Sequence, residues 1–530
     1  MRSPLPLLAV VGVAALALTA CTPAASTGSP GKDSLGTPAD GKTFTVAFSS
    51  PGNLDPITTT MTGAQSIGRF LWGTLIDLRQ EGPIVSGLAE KWEADTTTAT
   101  FTLHKGLTCD DGTPLTAKDV AAEFNHLADP ATASPLAAGN YLIGTTAVAD
   151  QAARTVTVTS AAPNPFLLES LGTVPIVCGT VLKDPDALSK GKGATGLFTM
   201  TEIVPNSQFT MTRRTDTSWG PGDWDPKTKG LPEKVVVRII DNPTTSTNML
   251  ISGELTAASV SGPDLARVKG RGFFEASATG VVGQISFNEA AGRPTSELAV
   301  RKALVEALDL PELRSVVTSG DGVEPASIVT TGANPCRSEE AKDAFPKHDA
   351  AAAAKTLDEA GWKKGADGIR AKDGEKLSLT FASPSSLGDP GTAASELVLK
   401  AWTDLGAKVE VKTPENNALQ ELLFVTSDWD VSAVPLQFGL PSQVTPYVTG
   451  PAPTQGGTNV FSADIPEYAK AVATAMTKPS TSGCDDWKAA ERSLYDSLTI
   501  VPYAGLKATV FANKASFEPG INPATIRMYE

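Results

Sequence analysis

The stretch GLAEKWEADTTTATFTLHKGLTCDDGTPLTAKDVAAEF, Gly87 to Phe124, changes its periodicity twice. In TATFTLHKG, Phe101 and Leu103 point one way and Thr100, Thr102 and His104 the other, the period-two pattern of a half-buried antiparallel strand. Asp110, Asp111 and Gly112 then predict a turn, because glycine supplies positive φ and aspartate accepts hydrogen bonds from neighbouring backbone. Thr116 and Asp119 have the spacing of a capping box, and Leu115 and Val120 are placed as its hydrophobic staple, so a helix starts there. His104, Cys109, Asp110 and Asp111 have the residue types of a metal or acid/base site. In a strand, turn and capped helix, the acids already have structural tasks.

Upstream, Arg2 precedes an apolar run from Leu5 to Leu18 that ends in LTAC, Leu18 to Cys21. This reads as a secretion signal over residues 1–20, and no other segment approaches the roughly 20 apolar residues that a bilayer crossing needs. LTAC resembles the lipobox of bacterial lipoproteins, which implies that Cys21 becomes the first mature residue and carries a diacylglycerol thioether. Two or more acyl chains suffice for a stable anchor. The Ser-, Thr-, Gly- and Pro-rich segment over 21–43 is expected to be a flexible tether.

With 530 residues the chain is too long for one ordinary core, and its 41% hydrophobic content is that of a globular protein. A formal charge of -14 argues against nucleic acid, which needs a basic stripe. With Cys21 set aside, Cys109, Cys178, Cys336 and Cys484 remain, and in an exported chain an even number predicts disulfides with three possible connectivities. None forms a C-x-x-C pair, so a zinc or redox motif has no support.

FTVAFSS, Phe44 to Ser50, has strand alternation, PGNLDP is a turn, and Gln65 to Leu75 has a helical pattern. TGLFTMTEIVPNSQFTMTRR and PEKVVVRIIDN predict strands, and TTSTNMLISGELTAA a helix leading to a strand. Val300, Ala303, Leu304, Ala307 and Leu308 mark one face of an amphipathic helix. A further helix starts at Asp349 and ends at Gly361. LSLTFAS, a helix through Leu397 and Leu405, and AKVEVK form a β-α-β unit, with DWDVSAVPLQFG as another strand. The class is α/β in at least two blocks.

His104, His126 and His348 are the chain's three histidines and lie far apart in sequence, which makes a zinc hydrolase or a histidine-activated nucleophile hard to assemble. No G-x-S-x-G or G-x-x-x-x-G-K-[ST] occurs, and GKGATG, Gly191 to Gly196, reads as a loop. Neither a metal nor a cofactor is expected, and the chain is not expected to be an enzyme.

The opening stretch resembles the signature region of extracytoplasmic solute-binding protein family 5, the peptide, nickel and oligosaccharide binders of ABC importers. TGLFTMTEIVPNSQFTMTRR with SWG, LISGELTAA, SFNEAAGRPTSELAVRKALVEALD, AAKTLDEAGW and VPYAG resemble further family segments in the expected order. The resemblance implies an α/β, two-lobed periplasmic-binding-protein type II fold (cluster C), its lobes joined by a hinge. By this likeness, residues 44–284 plus 503–530 form lobe one and residues 285–502 lobe two, with crossings near Gln284 and Pro502. A bridge between lobes would resist closure, so the resemblance also implies Cys109 with Cys178 and Cys336 with Cys484.

Peptide binders of this family commonly hold the α-amine with an aspartate a few positions after a tryptophan. The matching run here is WDVSAVPLQFGLPSQV, with Leu436 near the tryptophan's place and Gly439 near the aspartate's, so that carboxylate is absent. Asn53, Trp72, Asn288, Gln437 and Phe438 are the expected ligand-binding residues. Trp72 also suits a core position, Asn288 a hinge turn, and Trp402 and Trp429 packing. The resemblance implies a monomeric lipoprotein on the outer face of the cytoplasmic membrane that passes a short peptide or peptide-like solute to a permease. The alternatives are a non-peptide solute (an oligosaccharide, glycoconjugate or metal chelate), a secreted hydrolase or an adhesive surface lipoprotein.

Overall fold

A computed structural model describes residues 35–530 except 80–82, 141, 218 and 333. The signal segment, Cys21 and the tether up to residue 34 lie outside the described residues. Among the described residues no helix is long and apolar enough to cross a membrane.

The Gly87–Phe124 region folds as its periodicity dictates. Thr98–Leu103 is a strand of alternating burial, paired with Ala89–Ala94 on one side and Thr155–Thr159 on the other, with Phe101 opposite Trp92 and Val156. Thr146–Asp150 completes this four-stranded antiparallel sheet. Gly112 has φ 82°, and Asp111 Oδ1 accepts from Thr113 N at 2.9 Å and Thr113 Oγ1 at 2.6 Å. These bonds hold the Asp111 carboxyl below its usual range. Thr116 caps the helix Ala117–Ala128: its N–H donates to Asp119 Oδ2 at 2.9 Å while Asp119 N donates to Thr116 Oγ1 at 3.4 Å. Among the described residues, Cys109, Asp111 and Cys178 form the one cluster with metal-like spacing, but Cys109 is bonded to Cys178, so neither offers a thiolate.

An eleven-stranded sheet runs through the molecule. Its central pair is Phe274–Phe287 against Ile500–Ala512, antiparallel, with Phe274 opposite Ala512 and Gln284 opposite Pro502. On one side follow Ala257–Val260, Thr43–Phe48, Lys234–Ile239, Gln208–Arg213 and Phe198–Val204; on the other, Val431–Ser432, Ser378–Ala382 and Lys408–Lys412; the eleventh strand, Gly322–Val323, pairs with Ile500–Ala512 off this path. Ser378–Ala382 and Lys408–Lys412 are parallel and joined by the helix Gly388–Leu405, a β-α-β unit.

The central pair joins distinct cores. Phe274, Ala276 and Ala512 belong to the core that also holds Phe44, Phe101 and Phe198. Ile285, Phe287, Val501 and Tyr503 belong to another, with Val300, Leu304, Phe381 and Trp402. Between these ends the ladder shifts register around Val281, Gly283 and Gln284. A methyl on Gly283 would lie 2.5 Å from the Tyr503 ring, so only glycine lets the strands approach there. A third core gathers Ile328, Cys336, Trp429, Trp487 and Tyr495, and Phe166 reaches into it with its ring centroid 5.8 Å from that of Trp487.

Two elements differ from their sequence patterns. The helix expected over Gln65 to Leu75 spans Thr62–Leu71, because Trp72 turns to extended backbone (φ -111°, ψ 123°). The strand expected from DWDVSAVPLQFG is reduced to Val431–Ser432, because the buried side chain of Gln284 takes the next ladder positions. Its Nε2 donates to Val434 O at 3.2 Å, and its Oε1 accepts from Leu436 N at 3.2 Å.

Candidate functional site

Where the structure built on the first core faces the loops around the third, a cavity of about 650 Å³ opens. One wall comes from the helix Thr62–Leu71, the segment after it, the short helix Leu167–Gly172, Trp219 and the C-terminal Glu518–Ala524 region. Thr331, Gly332, Gly439, Leu440 and Gln443 face it.

Glycines let aromatic rings close on the first wall. A Cβ on Gly68 would lie 3.2 Å from the Trp72 ring, and one on Gly73 would lie 2.9 Å from Trp219 Cη2. Both indoles are buried and line the cavity, and neither Nε1 has a hydrogen-bond partner among the described residues. GKGATG is a loop, as expected, and braces this wall: Gly196 N donates to Leu71 O at 2.7 Å, and Thr195 Oγ1 accepts from Gly73 N at 3.0 Å.

Charge is arranged on the same wall. Asp77 accepts from Asn522 Nδ2 at 3.0 Å and lies 3.5 Å from Arg79 Nε, and Arg79 Nη1 is 3.4 Å from Glu518 Oε1. Arg69 lines the same wall without a direct bond to these carboxylates, its Nη1 donating to Gly520 O at 3.1 Å. Crowding by protein lowers the pKa of its guanidinium, and the Asp77 carboxylate opposes the shift. Glu169, on Leu167–Gly172, is buried in the wall, and burial raises its pKa against an opposing hydrogen bond from Ser480.

On the facing side Gln443 Oε1 accepts from Gly439 N at 2.9 Å and Leu440 N at 3.1 Å, which fixes the turn after Phe438. Gly439 therefore lines the cavity with bare backbone where the family likeness would put an aspartate.

Of the five residues expected from sequence, Trp72 lines this cavity. Asn53 is exposed in its turn, accepting from Asp55 N at 2.9 Å. Asn288 is fully buried and donates to Trp429 O at 2.9 Å and Ser427 O at 3.2 Å. Gln437 Oε1 accepts from Thr330 Oγ1 at 3.2 Å. The Phe438 ring packs 5.3 Å from that of Tyr447, and its backbone bridges to Val329, which positions Gly439. Arg69, Glu169, Trp219 and Gln443 also line the cavity and are not among those five. A lone acid in the apolar run PFLLESLG was the one available signal for Glu169.

A family model for bacterial extracellular solute-binding proteins, family 5 (middle), matches residues 83–456. Protein XP55 of Streptomyces lividans is 31% identical over 323 residues, 57% of this chain and 54% of that protein, so the match spans about half of its length. The periplasmic murein peptide-binding protein MppA of Escherichia coli is 24% identical over 488 residues, 85% of each chain. The unliganded open form of MppA superposes with a TM-score of 0.74 at 21% identity, covering 93% of this chain and 98% of that one. HbpA2 of Haemophilus parasuis gives a TM-score of 0.76 at 17% identity, covering 92% and 100%. The chain belongs to the bacterial extracellular solute-binding proteins, family 5, and has their two-lobed type II α/β fold.

Proposed function

We propose that this family 5 chain captures a short peptide or peptide-like solute between its lobes and delivers it to the permease of an ABC importer. The observation that carries this reading is the cavity itself. One wall comes from the first core, the other from the loops at 331–332 and 439–443, and the strands Phe274–Phe287 and Ile500–Ala512 join the cores behind them. A cleft built this way opens and closes by bending the joining strands, and a ligand shifts the balance by the extent to which it prefers the closed form. The lining suits a peptide: two indoles for apolar contact, and a guanidinium and a carboxylate for charged ends. MppA, by its name, binds murein peptide, which supports the same class. We place the lobes at 44–284 plus 503–530 and 285–502, and the anchor on Cys21 at the outer face of the cytoplasmic membrane.

A second reading, a solute without a free amine, is favoured by one observation: Gly439 supplies no carboxylate. A thermal-shift screen over di- to pentapeptides, oligosaccharides and metal chelates separates the two, since a ligand that binds the folded state raises apparent stability. At a hundredfold excess over Kd the gain is about 2.7 kcal/mol. Peptides are expected to shift the protein and to compact it in solution scattering. A shift by another class with none from peptides defeats the peptide reading.

A further inference from the structure

Glu169 is 2% exposed on the helix Leu167–Gly172, and its two carboxylate oxygens meet different surroundings. Oε1 accepts from Ser480 Oγ, in the turn Ser480–Gly483 that leads into the helix Cys484–Asp496. Ser480 N also donates to Pro165 O at 2.6 Å, so this turn closes over the acid from the side of the third core. Oε2 has no hydrogen-bond partner among the described residues, and Glu169 lines the cavity. Burial raises its pKa, the hydrogen bonds from Ser480 and its own backbone oppose this, and no cation of the described chain takes part. A buried carboxylate oxygen without a partner is costly, and a buried charge calls for a counter-charge. None comes from the described chain.

We propose that Glu169 supplies the counter-charge missing at Gly439, receiving the ammonium group of the ligand before the Ser480 turn closes over it. The assignment rests on the peptide reading above and sharpens it: the site selects solutes with a free amine. It also ties occupancy to closure. The same carboxylate meets the ligand through one oxygen and the opposite lobe through the other, and a bound ammonium keeps it ionised as the Ser480 hydroxyl donates. With no cation present, closing the turn confines a charge without a partner or forces it to take up a proton.

The test uses the full chain and two probes, an equimolar tripeptide library with free amines and the same library N-acetylated. Affinities are read by thermal shift for the wild type, E169Q and E169D. The wild type is expected to prefer the free-amine library, and E169Q to lose at least about thirtyfold of that preference, as follows when one member of a buried charged pair is truncated. E169D is expected to recover part of it. An unliganded melting temperature close to wild type shows that E169Q folds. If it does not fold, the pH profile of the wild type decides: the preference falls as the pH is lowered and Glu169 takes up a proton, while binding of acetylated peptides stays level. A preference that survives E169Q, a flat profile down to pH 4.5, or equal binding of both libraries overturns the assignment and leaves the peptide reading standing. Failure of both libraries with a shift by sugars or chelates overturns both.

Discussion

Cys336–Cys484 ties the segment after the cavity-lining Thr331 and Gly332 to the segment after Ser480, the hydrogen-bond partner of Glu169. Cys336 follows the Thr331–Gly332 wall, and Cys484 opens the helix that follows the Ser480 turn. Replacing both by alanine removes a cross-link that closes a loop of 148 residues. The chain-entropy relation puts the release of the unfolded chain at about 5 kcal/mol, and native disulfides commonly give about 2–5 kcal/mol when removed. Cys109–Cys178 closes 69 residues and is worth about 4.4 kcal/mol by the same relation. In stability the two alanine pairs are therefore expected to fall within about 1 kcal/mol of each other, read by guanidinium unfolding with linear extrapolation. In binding they are expected to differ. None of the four cysteines lines the cavity, but C336A/C484A loosens the segment after Gly332 together with the Ser480 turn that bonds Glu169 and weakens peptide affinity, whereas C109A/C178A leaves that contact in place and affinity at the wild-type value. The reasoning is refuted if C336A/C484A loses less than about 1 kcal/mol, or if the two pairs weaken binding equally.

Two more outcomes follow from buried charge. Glu123 is almost fully buried, and burial pushes its pKa well up, against a hydrogen bond from Val177 N at 2.9 Å. A raised carboxyl pKa means that the folded state keeps a proton the unfolded chain gives up. The contribution of Glu123 to wild-type stability is therefore full below the unfolded pKa of about 4.3 and falls by about 1.4 kcal/mol per pH unit up to the folded pKa. E123Q keeps an acceptor for Val177 and removes this slope, so urea unfolding between pH 4.5 and 7 should show it gaining on the wild type as pH rises. Parallel profiles defeat the argument. Arg301 lies 3.0 Å from Glu289, both nearly buried, and donates to Thr295 O at 2.9 Å and Ser497 O at 2.9 Å. R301M strands Glu289 and should cost about 3–5 kcal/mol in equilibrium unfolding, with part returned in R301M/E289Q; additive losses would refute the coupling.

Where local chemistry decides structure, the sequence was readable. The alternation of Thr98–Leu103, the cap at Thr116 and the β-α-β unit at 378–412 are governed by neighbours within a few positions and stand where their patterns put them; the stripe from Val300 is helical to Glu306, with Ala307 and Leu308 buried just past its end. Errors arose where a distant group intervened. Gln284 lies about 150 positions from Val434 and Leu436, yet its side chain satisfies the backbone that would otherwise have extended the strand. Trp72 leaves the helix to lay its ring against Gly68, beside a glycine that makes room for Trp219. Neither event leaves a mark on local periodicity.

The site shows the same limit more sharply, because Glu123 and Glu169 carry one signal. Each is a lone acid in an apolar helical run, VAAEF and FLLES, and each ends nearly fully buried with a raised pKa and one oxygen without a partner among the described residues. Their surroundings separate them. The bonded oxygen of Glu123 holds the backbone of Val177 beside Cys178, and the residue does not line the cavity. The bonded oxygen of Glu169 meets Ser480, from the turn before the helix Cys484–Asp496, and the residue lines the cavity. A buried acid is thus a structural brace in one place and a ligand contact in the other. What separates them is that Glu169 lines the cavity and Glu123 does not, a property of packing that no helical period encodes. The empty position at Gly439 is legible only through likeness to a family, and its compensation arises about 270 residues away in the chain, on the opposite wall of the cleft. Removing Glu169 should therefore change which solutes are bound, and removing Glu123 should change how stability depends on pH, although the two residues read alike.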